Sequence, residues 1–403
     1  MNFVIISPHF PETYWKFAEA LKKNGFTVLG IGDAPYHEIK AELKGVLTEY
    51  YYAPKMDDYS ELYKAFAFLS SKYGKIDWVE SNNEYWLEKD ARLRTDFNIT
   101  TGVMEKDILA YKSKTAMKDY FKKAKVKVAR HLKTSDFLIA KKFAKKVGYP
   151  LFSKPDIGVG ANSTFRLNND EDLKTFFLKK DVGEYIIEEY IDGTIVSFDG
   201  ISNSHHEPVI CVEHFFPVTN ADVVDGLLED YYYSLHDVAP DLYKAGCAVL
   251  KAFKVNKRFF HLEFFRLNVD KKGLGRKGDL VALEVNMRPP GGYTTDMISA
   301  CLGVSSYQVY ADVVAFDQNR QVANGKPMVV AEVARRDKYK YELSKEAILA
   351  KYQSAMVLSG RYAPLISVGM GDEYFIAKFS TLEEAKIFKE EVLKHQKNIW
   401  VMS

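Results

Sequence analysis

Glu263, Glu284, Asn286 and Arg288 lie in two stretches, RFFHLEFFRLNVD and LVALEVNMRPPGG, whose alternating apolar and polar residues read as β-strands. The residues between them include Gly273, Gly275 and Gly278 among lysines, so the pair reads as a hairpin. Symmetric pairing about that loop sets Asn268 opposite Asp279, Glu263 opposite Glu284 and His261 opposite Asn286. Alternation then places Glu263, Glu284 and Asn286 on one face, with Leu262, Phe264, Leu283 and Val285 on the other. Carboxylates directly opposed across a ladder repel unless positive charge lies between them. Oxygen donors of this kind suit a hard cation, Mg²⁺ or Mn²⁺. An antiparallel pair with one solvated face accounts for the same alternation. Arg288 favours the ligand reading: it follows Asn286 by two residues on the same face, and the chain then enters PPGG, a turn that lets backbone approach a ligand closely. Together these groups form a cage for metal and polyphosphate.

Two further strings could handle a nucleotide. In PLFSKPDIGVGANST a strand delivers Lys154 to a loop containing Gly158 and Gly160 and ending at Asn162, Ser163 and Thr164. Glycines let backbone N–H groups turn toward phosphate oxygens, and the lysine adds a mobile positive charge; a β-turn with an exposed lysine is the plainer alternative. YIIEEYIDG is a strand running into a bend at Glu188, Glu189, Tyr190 and Ile191. A strand end of this kind can offer adenine a backbone donor, a backbone acceptor and apolar walls, although an acidic edge strand reads equally from the string alone.

These sites must be positioned by a chain of 403 residues, long enough for two or three domains. Lys plus Arg (56) nearly cancel Asp plus Glu (54), so no global field argues for nucleic acid or an acidic membrane. Cys211, Cys247 and Cys301 are far apart and odd in number, suggesting neither a disulfide framework nor a zinc site. No apolar run reaches the length of a membrane span, and a cytoplasmic enzyme or binding protein is the expectation. NFVIIS, FTVLGIGD and KIDWVES, with a helical stretch from about Pro11 to Lys23, read as a parallel open sheet. No G-x-G-x-x-G follows the first strand, which argues against a dinucleotide site there. A helix is expected at about 106 to 124 and another at about 237 to 254, with a surface excursion from about Phe216 to Leu235.

The order of these features is Lys114 on a helix, Lys154 before a glycine loop, the Glu-Glu-Tyr-Ile bend, then Glu263, Glu284, Asn286 and Arg288. It resembles the ATP-grasp superfamily, and LEVNMRPPGG looks like its carboxylate-amine ligase branch, which includes L-amino-acid ligases. The resemblance covers roughly residues 1 to 320. It implies an α/β fold, α+β in the nucleotide domain: an N-terminal open parallel sheet domain (1–105) and an ATP-grasp domain (106–320) with a lid subdomain at about 125–200. A small C-terminal α/β unit (321–403) is expected to follow. By this resemblance ATP is the nucleotide. Lys114 and Lys154 would hold its α and β phosphates, the loop from Gly158 through Gly160 to Ser163 would close over them, and the bend at Glu188, Glu189, Tyr190 and Ile191 would bind adenine, through the backbone of Glu189 and Ile191. Glu263, Glu284 and Asn286 would hold Mg²⁺ (or Mn²⁺), and Arg288 with Glu284 would serve the chemistry.

Three positions depart from the family pattern. Gly193 is followed by Thr194 and Ile195 where a ribose-binding carboxylate is frequent, and Asp199, on the same strand face as Ile195, is the expected substitute. The loop has fewer glycines than many relatives. Ser113 stands before Lys114 where an acid is common. Substrate contacts are expected from Glu84 and Arg94 in SNNEYWLEKDARLR, a string that a solvated helix face also explains, and from Gly291, Gly292, Tyr293 and Thr294 beside the turn. The implied reaction joins a small carboxylate to an amine through an acyl phosphate, releasing ADP and phosphate. A bicarbonate-using carboxylase of the biotin-carboxylase or purine type, or a nucleotide-binding regulator without turnover, are the alternatives. The implied partners are small molecules, not nucleic acid or membrane, and a homodimer is one assembly the family allows.

Overall fold

The computed structural model describes residues 1–158, 164–179, 184–218 and 228–396. Its first sheet is parallel, with β1 (Asn2–Ile6), β2 (Thr27–Gly32), β3 (Glu49–Tyr52) and β4 (Trp78–Glu80) in the order β3-β2-β1-β4. The continuous apolar runs of β1 and β2 are those of strands covered on both faces. Phe3 and Ile5 pack with Phe17 and Leu21 of the Trp15–Lys23 helix, while Val4 and Ile6 pack with Leu62 and Phe66 of the Tyr59–Tyr73 helix.

A small antiparallel sheet follows, β5 (His131–Lys133), β6 (Leu151–Pro155), β7 (Phe165–Leu167) and β8 (Tyr185–Glu189), ordered β5-β8-β6-β7. The helices Phe137–Val147 and Asp170–Lys179 cover it, burying Ala140, Ala144, Leu173 and Phe176 against Leu151, Tyr185 and Ile187.

The third sheet holds β9 (Gly193–Ser202), β10 (Pro208–Phe216), β11 (Tyr231–Leu235), β12 (Arg258–Leu267), β13 (Leu280–Asn286), β14 (Val329–Arg335), β15 (Met356–Arg361) and β16 (Glu373–Phe379). Among the described residues it has eight strands, in the order β13-β12-β9-β10-β11-β14-β16-β15. One sequence expectation fails here. The stretch expected as a surface excursion contains β11, whose Tyr232 and Tyr233 are buried between β10 and β14. Tyrosines supply apolar area to a strand while reading as half-polar in sequence. β14, β15 and β16, from the stretch expected as a small C-terminal α/β unit, extend this sheet through the β11–β14 ladder.

The first and third layers are joined by a buried ion chain. Glu80, at the end of β4, accepts from Arg94 at 2.8 Å and from Arg258 of β12 at 3.0 Å. The Nε of Arg258 donates to the Met287 carbonyl at 3.0 Å, gripping the backbone between Asn286 and Arg288. Among the described residues no helix is long and apolar enough to cross a membrane.

Candidate active site

A cavity of about 410 Å³ opens between the small sheet, the start of the Lys114–Lys123 helix and the β12–β13 hairpin. Glu263 pairs with Glu284 and His261 with Asn286. Beyond Glu263 the ladder contains a bulge, so Phe264 pairs with Ala282 and Phe265 with Val281. The symmetric register therefore fails toward the hairpin: the Leu267 amide bonds the Asp279 carbonyl at 3.0 Å, where Asn268 was expected opposite Asp279. Leu283 is the extra residue. It lines the cavity with Ala282 and Glu284 instead of sharing the core with Leu262, Phe264 and Val285, as befits the re-aimed side chain of a bulge.

Positive charge reaches the cavity from three lysines. Lys114 Nζ lies 3.6 Å from Glu284 Oε1 and donates to the Gly158 carbonyl at 3.3 Å. Lys154, from β6, lies 3.0 Å from Glu188, whose other oxygen is 2.7 Å from Lys118. Burial alone would push the Glu188 carboxyl up, but the two ammonium groups outweigh it and hold it well below the carboxylate range. Burial dominates at Lys118 and lowers its pKa; at Lys154 burial also opposes the charge, yet Glu188 and Glu284 raise the net value. Lys118 was not singled out in the sequence. The signal was its spacing, one helical turn after Lys114 and hence on the same face.

Asp156 ties the two expected lysine elements together. It accepts from Ser113 Oγ and the Thr115 amide, each at 2.8 Å, and its carbonyl receives the Lys114 amide at 2.9 Å. Asp156, just past β6, thus sets an acid beside Ser113 and the start of the Lys114 helix.

Across β12 the cavity wall becomes a polar row. His261 Nε2 lies 3.6 Å from Glu263 Oε1, and its Nδ1 is 2.5 Å from Asp199 of β9. Burial opposes the imidazolium, but Asp199 and Glu263 push the His261 pKa up to about 10; His261 in turn holds Glu263 below its ordinary value against its burial. Asp199 is fully buried, its oxygens also bonded by His214 at 2.6 Å and by Ser197. It does not line the cavity, so the ribose contact expected of it does not fit its position.

Glu188, Glu189, Tyr190, Ile191, Glu84, Gly158, Gly291, Asn286 and Arg288 all line the cavity, alongside Ala129, Phe152, Ile195 and Phe265, which the sequence reading did not select. The Glu189 carboxylate is turned to Arg130, accepting from its amide at 2.8 Å and from Nε at 2.9 Å. Glu84 is paired with Lys112 at 3.1 Å and with Arg288 at 3.6 Å. Arg94 is 1% exposed and committed to Glu80 and backbone carbonyls, a structural position and not a substrate contact. Gly292, Tyr293 and Thr294 stand behind the turn: Tyr293 donates to Glu12 at 2.9 Å, and Thr294 bonds the Gly291 carbonyl at 2.6 Å. Gly160 and Ser163 lie outside the described residues. Among the described residues no three His, Cys, Asp or Glu side chains converge as a metal centre; the set at the hairpin is two carboxylates and an amide oxygen, which leaves room in a hard cation's shell for ligand oxygens.

No family model matches the chain. A curated relative, the L-arginine-specific L-amino acid ligase of Bacillus subtilis, is 25% identical over 267 residues, 63% of this chain and 62% of that protein. The match thus spans less than two thirds of the relative's length. The L-amino acid ligase of Bacillus licheniformis superposes with a TM-score of 0.72 at 14% identity, covering 97% of this chain and 96% of that structure. The chain has the ATP-grasp fold. Two other ATP-grasp structures are also similar. N5-carboxyaminoimidazole ribonucleotide synthetase of Thermotoga maritima has a TM-score of 0.66 at 14% identity, covering 97% of this chain and 98% of that one. The biotin carboxylase domain of Hydrogenobacter thermophilus 2-oxoglutarate carboxylase, solved with MgADP, ADP and bicarbonate, has a TM-score of 0.67 at 16% identity, covering 98% and 90%.

Proposed function

We propose that this chain is a cytoplasmic ATP-dependent ligase that joins a small carboxylate, an amino acid or related acid, to an amine through an acyl phosphate. The observation that carries this reading is the opposition of Glu263 and Glu284 in one cavity with Lys114, Lys154 and Arg288. Two facing carboxylates with an amide oxygen fit Mg²⁺ or Mn²⁺, and the lysines fit the inner phosphates of ATP. A cation held by Glu263, Glu284 and Asn286 would neutralise charge on the phosphate oxygens. Adenine would lie against Ala129, Phe152, Ile191 and Phe265, with the backbone of Glu189 and Ile191 reading its edge.

The carboxylate substrate, set at Gly291 beside Arg288, attacks the γ-phosphorus and ADP leaves. The amine nitrogen then attacks the acyl carbon, and phosphate leaves with the former carboxylate oxygen. Catalysis is positioning and charge stabilisation, with no covalent enzyme intermediate. The name of the curated relative supports amino acids as the first substrates to try.

The test is ADP release across a panel of amino acids and other carboxylates, each with and without hydroxylamine in place of the amine. The expected product is one hydroxamate per ADP. Stoichiometric AMP and pyrophosphate would overturn the acyl-phosphate chemistry, and ATP hydrolysis stimulated by bicarbonate alone would replace the ligase with a carboxylase.

A further inference from the structure

Three strands align a buried chain of side chains behind the cation carboxylates. Across β13, β12, β9 and β10 the register reads Glu284, Glu263, Ser197, His214 in one row and Asn286, His261, Asp199, Val212 in the next. Residues directly opposite one another share a face, as do residues two apart along a strand, so the acid on β9 meets His261 opposite it on β12 and His214 on the diagonal from β10. Asp199 has no exposure, and each of its oxygens is committed: Oδ1 to His261 Nδ1, Oδ2 to His214 Nδ1 and Ser197. A carboxylate gripped from both sides cannot turn. The imidazole opposite it is therefore fixed by its Nδ1, and its Nε2 is left facing Glu263 and the cavity.

We propose that Asp199 is a positioning residue, acting through His261 to orient Glu263 as a ligand of the cation. This rests on the cation site of the ligase reading and adds to it a carboxylate–imidazole–carboxylate chain that reaches two strands into the core. Groups that orient a metal's ligands from behind contribute to metal affinity without touching the metal. His214 and Ser197 are the back support: they occupy the side of Asp199 away from His261 and keep its Oδ1 on the ring.

The measurement is Mn²⁺ affinity in the presence of ADP, read from the electron paramagnetic resonance of free Mn²⁺, which requires no ligation. Asp199→Asn and His261→Gln should each weaken Mn²⁺ binding by about 10- to 100-fold, with little change in ADP affinity measured in chelator. The double variant should bind no more weakly than either single one, because one residue acts through the other. Unchanged Mn²⁺ affinity in folded Asp199→Asn, or losses that multiply in the double variant, would overturn the proposal. Should Asp199→Asn not fold, His214→Gln takes its place. It should weaken Mn²⁺ binding when His261 is present and have no effect when it is absent, and wild-type affinity in that variant overturns the proposal equally. Wild-type protein that binds Mn²⁺ with ADP but ligates nothing in the panel would sink the ligase reading and leave this inference standing. Wild-type protein that binds no Mn²⁺ with ADP would remove both.

Discussion

Glu263 and Glu284 face each other at the last paired position before the β12–β13 bulge, so the ladder brings two negative charges together on the cavity wall. Replacing either with Gln removes a ligand charge but keeps its size. We expect folding to be preserved by circular dichroism and turnover to fall by about 100-fold or more, since metal neutralisation contributes several kcal/mol to such reactions. Near-wild-type ADP release from folded Glu284→Gln would remove the hairpin as the cation site.

Lys118, Glu188 and Lys154 form a buried triad with one anion between two cations. Charge counting separates the variants. Lys154→Met leaves a neutral Lys118–Glu188 pair, so stability should change little while the calorimetric dissociation constant for ATP rises. Glu188→Gln leaves two buried ammonium groups facing each other, and urea unfolding should show a loss of about 3–5 kcal/mol. Equal stability in the two variants would contradict the triad.

Glu332 is buried under Tyr232, which donates to it at 2.6 Å, and Tyr362, and burial pushes its pKa up to about 7. Its neighbour Asp230 is pushed up to about 8 by burial and by the charge of Glu332. A carboxyl with a raised folded-state pKa binds its proton more tightly when folded. Its contribution is complete below the ordinary glutamate pKa of the unfolded chain and is lost as pH rises through the folded value of about 7. Wild-type stability should therefore decline from pH 5 to pH 8 relative to Glu332→Gln, by a few kcal/mol. A pH-independent difference between the two in urea titrations would show that Glu332 ionises normally.

Gly246 lies in the Pro240–Phe253 helix, where alanine ordinarily stabilises by about 1 kcal/mol. Here a Cβ would stand 2.1 Å from the Phe198 ring. Overpacking of about 1–3 kcal/mol should win, so Gly246→Ala should lower the thermal midpoint. A raised midpoint would mean that Phe198 yields at small cost.

Much of the cavity could be read from the sequence because alternation is local and sets Glu263, Glu284 and Asn286 toward one face; the Glu263–Glu284 and His261–Asn286 pairings, however, are reached through the bulge, since the loop-side register carried on without it would set Glu263 opposite Leu283. The bulge at Leu283 could not be read that way, because an inserted residue leaves the composition of a strand unchanged. Lys118, Asp156 and the Arg94–Glu80–Arg258 chain depend on elements far apart in sequence, and so do the two histidines on Asp199. β11 was hidden by its tyrosines, whose burial comes only from the strands on either side.

The β11–β14 ladder also governs what can be cut from this chain. Ending the protein near residue 327 would strip β14, β16 and β15 from one side of β11 and leave its N–H and C=O groups without partners along that side. A raw edge carrying Tyr231, Tyr232 and Tyr233 is a template for another chain, so such a fragment should self-associate in place of forming a smaller monomeric core.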